Sequence, residues 1–212
     1  MTFKFKTAII LLGSLLLTSC DNNTSSDNAN KTQDYPKQSM MGFNIAYPTS
    51  FLMNREETES YFELLPDNVQ DITTEMIVYK SKPVCNLSEV RLVYFKMNPI
   101  MSYDIDAGAK GIIDNIAALG GMNKINSSIK PLTISDYPGR YILFEGKIAN
   151  ENVSYQGVLI ADTEIKRVWQ LQFIRSMNSS SDEKKFNQSI ECTNKFIDTI
   201  SIDKEKIEHT IQ

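Results

Sequence analysis

The chain reads as an α+β domain, a largely antiparallel sheet covered by two amphipathic helices. Three observations predict it. Apolar residues alternate at period two in several short segments, and they recur at helical spacing in two others. The long strands late in the chain also follow one another with only short turns between them, which pairs them antiparallel. Two helices with one apolar face each must then bury that face on the sheet.

The elements follow in order. Phe43, Ile45 and Tyr47 alternate with Asn44 and Ala46, a strand stopped by Pro48. Tyr61 to Leu65 and Met76 to Tyr79 read as further short strands, and Val90 to Met97 as a longer one ended by Asn98-Pro99. Between residues 103 and 119 the period changes. Ile105, Ala109, Ile112, Ile116 and Leu119 share one helical face, with Ser102 as the expected cap and Gly120-Gly121 as the expected end.

Strand periodicity returns at Tyr141–Ile148 and Val153–Ala161, flanking a hairpin signal at Asn150-Glu151. Asp162 to Lys166 supplies the next turn. Trp169, Leu171 and Phe173 then alternate with Gln170 and Gln172, as expected of a strand with one apolar and one polar face. A capping-box pattern, Ser180 with Glu183, opens the last helix, whose stripe is Phe186, Ile190, Thr193, Ile197 and Ile200.

The amino-terminal segment is not part of this domain. Lys4 and Lys6 precede an apolar run from Ala8 to Leu17, and the run is too short to span a bilayer. Leu17-Thr18-Ser19-Cys20 resembles the lipobox of bacterial lipoprotein signals. That resemblance implies cleavage before Cys20, diacylglycerol on its thiol and, as a rule, a third acyl chain on the new amino terminus. Asp21 resembles the signal that keeps enteric lipoproteins at the inner membrane, with the outer membrane as the alternative. The organisation expected is a signal peptide over 1–19, a flexible Asn/Ser/Thr-rich tether over 20–40, an α+β domain over 41–202 and a frayed tail over 203–212.

Composition narrows the partners. The 212-residue chain carries 22 basic and 26 acidic residues, a net charge of −4, and a leader with two lysines and no acid leaves −6 after cleavage. That balance argues against nucleic acid and against electrostatic docking on anionic lipid. With Cys20 lipidated, Cys85 and Cys192 remain, an even number in an exported, oxidising compartment. A Cys85–Cys192 disulfide is expected, with two buried thiols as the alternative.

Phe43-Asn44-Ile45-Ala46-Tyr47-Pro48, the helix ending at Gly120-Gly121, the three long strands to Arg175 and the carboxy-terminal helix together resemble PsbP-like domains. Bacterial DcrB-like lipoproteins share this layout and a lipobox. The resemblance covers roughly residues 41–200. It implies an α/β/α sandwich and a role in binding or stabilising other proteins, with no catalytic residues to carry over.

Residues with chemical potential have plainer readings. His209 is the only histidine and sits in the tail, where it is poorly placed to serve as a catalytic base. Gly108-Ala109-Lys110-Gly111 lies within the helical pattern and lacks phosphate-loop spacing. Glu56, Glu57 and Glu59 lack calcium-loop spacing, as do Asp104 and Asp106. The last two suit the start of a helix. Met40, Met41, Met97 and Met101 lack the dense repetition of copper-handling loops and suit a core. The Asn152-Val153-Ser154 sequon follows from composition. No catalytic residue, metal site or cofactor is expected.

The function expected is a membrane-anchored, periplasmic, non-enzymatic lipoprotein with an accessory or binding role and a protein partner in the envelope. The alternatives are an envelope hydrolase built on a Ser/Lys or carboxylate pair, and a small-solute or metal binder.

Overall fold

A computed structural model describes residues 35–119, 126–148, 151–177 and 183–208. The leader, Cys20 and Asp21 lie outside them, as do Asn150, Gly120-Gly121, Ser180 and His209.

The elements in chain order are β1 (Lys37–Met40), β2 (Phe43–Ala46), β3 (Leu52–Met53), α1 (Arg55–Leu64), α2 (Asp67–Gln70), β4 (Thr73–Ser81), β5 (Glu89–Met97) and α3 (Ile105–Leu119). There follow β6 (Asn126–Ile134), β7 (Tyr137–Ile148), β8 (Glu151–Asp162), β9 (Arg167–Met177), α4 (Glu183–Ile197), β10 (Ser201–Ile202) and α5 (Lys204–Glu208). Seven strands form one antiparallel sheet in the order β3-β4-β5-β9-β8-β7-β6, and β1-β2-β10 form a second. After β5 the chain crosses one face through α3 to the far edge, then returns as a meander that ends beside β5.

The fold class is α+β, an antiparallel sheet covered on both faces. On one face Ala109 and Ile113 of α3 pack on Ile142, Phe144, Tyr155, Leu159 and Val168. On the other, Phe196 and Ile197 of α4 join Phe43, Ile45 and Tyr47 of the small sheet over Leu92, Tyr94, Trp169, Leu171 and Phe173. No helix of the described residues is long and apolar enough to cross a membrane.

Several local expectations are corrected. Tyr61–Leu64 is helix, not strand, with Leu65 as its cap. The Asn54 side chain accepts the Glu57 amide at 3.0 Å, and Glu56 and Glu57 sit in the first turn, where the helix dipole favours acid. For α3 the cap is Asp104 rather than Ser102, its carboxylate accepting the amides of Asp106 and Ala107. β9 is covered on both faces, since Gln172 is buried like its apolar neighbours.

The folded region also extends past both expected boundaries. β1 pairs with β2 through a turn at Met41 (φ 50°) and Gly42 (φ 76°), the conformation of a tight two-residue hairpin. Gln38 fastens β1, donating to the carbonyls of Tyr47 and Thr49 and accepting the Phe51 amide. At the other end α5 buries Ile207 to 1% exposure against that turn, where a side chain on Gly42 would meet Ile207 at 2.3 Å. Arg167 donates to the Ile207 carbonyl and Trp169 to that of Met41, so the two ends close on the same corner of the large sheet.

Candidate functional site

Two polar centres lie against the large sheet, one on each face. The first lies under α1. Alternation along β4, β5 and β9 puts Lys80, Arg91 and Gln172 on the α3 face, beyond the reach of α3 itself. Glu57 and Tyr61, one turn apart on α1, face them. Lys80 pairs with Glu57 at 3.0 Å and with Glu89 at 2.8 Å, while Arg91 pairs with both carboxylates, reaching Glu57 at 3.2 Å. Arg91 also donates to the Tyr61 hydroxyl at 2.6 Å, and that hydroxyl donates to Gln172 at 3.0 Å.

Two acids thus balance two bases. Burial pulls Lys80 down, but its hydrogen bonds with Glu89 and Glu57 outweigh this and leave the ammonium above its ordinary range. Burial raises Tyr61 above the ordinary tyrosine value. The backbone of α1's start is also tied to β4, for Asn54 donates to the Val78 carbonyl and Val78 donates to Thr58 Oγ1.

Beside this cluster the chain leaves an open groove of about 760 Å³, lined by Leu52, Met53, Lys80, Ser81, Lys82 and Pro83 among others. Leu52 and Met53 are more than half exposed there, on the short edge strand β3.

The second centre lies under α4. Cys85, in the β4–β5 connection, and Cys192, on α4, form a disulfide with Cα atoms 5.7 Å apart. Cys85 and Asn86 both have positive φ, at 58° and 57°. Next to the bridge Arg175 is 1% exposed. Its Nε donates to Ser189 Oγ, and Ser189 Oγ donates in turn to the Cys85 carbonyl. Its Nη2 donates to Gln156 Oε1 at 2.6 Å, Thr193 Oγ1 at 2.8 Å and the Ser189 carbonyl at 3.0 Å. Burial pushes this guanidinium down to about 10.

The structure distributes the residues singled out in the sequence. Glu57 joins the first centre, while Glu56 and Glu59 are exposed. Asp106 forms a two-pronged pair with Arg140 at 2.6 and 2.8 Å on the surface. Gly108 serves close packing, since a Cβ there would lie 2.2 Å from the Tyr103 hydroxyl. Met40 and Met97 are buried in the core. Among the described residues no group of three His, Cys, Asp or Glu is placed to hold a metal.

Arg175 was not singled out, yet the signals for it are present. It continues the inward positions Trp169, Leu171 and Phe173 by one further step, and Thr193 interrupts an apolar stripe.

No protein-family model matches the chain, and no curated protein matches it. Among solved structures, the Saccharomyces cerevisiae Ran-binding protein Mog1p is similar at 10% identity and a TM-score of 0.44, over 81% of this chain and 97% of that one. A point mutant of Mog1 gives the same identity and score, covering 81% of this chain and 98% of that one. A Pseudomonas aeruginosa protein of unknown function is similar at 11% identity and a TM-score of 0.36, over 69% of this chain and 94% of that one.

Proposed function

We propose that the protein is a lipid-anchored member of the bacterial cell envelope, held on a bilayer by acyl chains at Cys20, that acts by binding a protein partner and not by catalysis. The observation that carries this reading is the Cys85–Cys192 bridge. Disulfides persist in exported, oxidising compartments, the destination that the leader and Cys20 also imply. Two or three acyl chains hold a domain firmly, since each buried CH₂ is worth about 0.8 kcal/mol. Asp21 keeps the protein on the inner membrane of a Gram-negative host. The groove beside β3, with Leu52 and Met53 exposed, is the surface offered to the partner.

Palmitate labelling with detergent partitioning tests the anchor. The chain is expected to take up label and enter the detergent phase, and Cys20→Ser to do neither. Equal partitioning of both forms would refute the anchor. Crosslinking in intact membranes tests the role. A discrete adduct that Leu52→Lys weakens is expected, and an adduct pattern indifferent to that change would remove the groove from the reading.

A further inference from the structure

Arg175 lacks what Arg91 and Arg140 have, for Arg91 holds Glu89 and Glu57 and Arg140 holds Asp106. Around Arg175 every acceptor is neutral: Gln156, Ser189 and Thr193. No carboxylate among the described residues pairs with it. The nearest by register, Glu145, is two strands away, about 10 Å.

The site is also unsaturated. Nη1 of Arg175 is buried and has no hydrogen-bond partner. Directly across the ladder on β8, Ser154 is fully buried and its Oγ has no partner either. Opposed residues on one face of an antiparallel pair bring their side chains within reach of one another. Two neighbouring strands therefore each bury an unpartnered donor, an N–H group and an O–H group, at opposed register positions on one face.

We infer that Arg175 and Ser154 form a binding site for one small monovalent anion, a halide or a carboxylate the size of formate, enclosed between β8, β9 and α4. A water molecule in the same place would satisfy the donors but leave the charge uncompensated, and a buried unpaired charge is the costlier defect. The lowered proton affinity of the guanidinium agrees that its present neighbours do not balance its charge. Arg175 is 1% exposed and Ser154 fully buried, so a ligand there must be small and shed its water. An ion of that size enters through local opening of the fold.

Thermal unfolding of the full chain in detergent tests this, in sodium chloride, bromide, formate and gluconate at matched ionic strength. The midpoint is expected to rise with concentration as for a ligand bound to the native state in the first three salts, and to stay level in gluconate, which is too large. Coincident midpoints in all four salts would overturn the site.

Ser154→Ala is expected to raise the half-saturating chloride concentration at least about tenfold, the worth of one hydrogen bond to a charge. Arg175→Gln is expected to abolish the response. A salt response unchanged in Ser154→Ala would mark it as nonspecific and also overturn the site, which keeps the test decisive if Arg175→Gln does not fold. In bromide-soaked crystals an anomalous peak is expected beside Arg175 Nη1 and Ser154 Oγ. A water there without bromide signal would refute the anion.

Discussion

One face of the large sheet is divided into halves held by different forces. Under α3 the contact is apolar: Ala109 and Ile113 meet Ile142, Phe144 and Leu159, all nearly or fully buried. Under α1 the contact is ionic and hydrogen-bonded, and the residues of α1 that face the sheet, Glu57 and Tyr61, are only partly buried. Apolar burial is non-directional and is not screened by salt. Ion pairs at a quarter to a third side-chain exposure are directional, screened and individually weak. The helix held by charges therefore belongs at the low end of local stability, and the helix held by packing belongs with the core. The groove lined by Leu52 and Met53 lies beside the weaker half.

The largest effect on both halves comes from the opposite face. Cys85 and Cys192 are separated by 107 residues, so their bridge closes a loop that contains α3, β5 and β9, with α1 and β4 just before it. In the chain-entropy account such a closure stabilises by about 4–5 kcal/mol. Replacing both cysteines with serine is expected to remove that amount in urea unfolding, with α1 and α3 weakened together. A loss below about 1 kcal/mol would mean that the sandwich does not depend on the closed loop.

Phe144→Ala separates the halves. Phe144 is fully buried beneath α3, and its truncation is expected to cost about 3–5 kcal/mol. Hydrogen exchange should show α3 and the β7–β8 ladder losing protection by that amount. If instead α1 opens first and alone, the apolar half is not the stronger one.

The division was only half legible in the sequence. α3 and α4 declare themselves through apolar spacing, because packing a helix on a sheet demands a stripe. α1 has no stripe to read: its inward residues are Glu57 and Tyr61, and the Tyr61-Phe62 pair resembles a strand when the capping by Asn54 goes unweighed. β6 carries no clear strand pattern for a related reason. Pro131 sits in its middle, which argues against a central strand but is tolerated on an edge, and Lys130 beside it discourages pairing with another chain. The turn Ser135-Asp136 that precedes β7, both residues at positive φ, was the available signal. Arg175 was hidden by a different rule, since charged residues are rarely assigned to inward positions even where alternation demands it.

Alkaline titration sharpens the comparison further. Burial raises Tyr155, on the α3 half, and Tyr61, on the α1 half, above the ordinary value of 10.0. In the unfolded chain both would release their protons near 10.0. Their contribution is therefore complete below that pH and is lost as pH rises toward the folded values. Lys80, also raised, adds loss of the same sign on the α1 half alone. Tyrosinate absorbance is expected to appear together with unfolding, and Tyr61→Phe to remove part of the early signal. Full ionisation of a folded chain near pH 10 would contradict the burial of these rings.

The smallest effect is the most specific to the charged half. Glu57→Gln leaves α1's cap and backbone ties to β4 intact and removes one acid from a neutral set of four. Glu89 then faces Lys80 and Arg91 alone. For partly exposed pairs the expected cost is about 0.5–1 kcal/mol at low salt. At about 1 M salt the screening length falls to about 3 Å, near the pair distances themselves, and the cost should largely vanish. Phe144→Ala should keep its full cost under the same conditions, because salt does not screen packing. Parallel unfolding curves for the two variants at low and high salt measure the contrast directly. If the Glu57→Gln cost survives high salt, α1 is held by the fit of its side chains and not by their charge, and the two halves of the face would be stabilised by the same force.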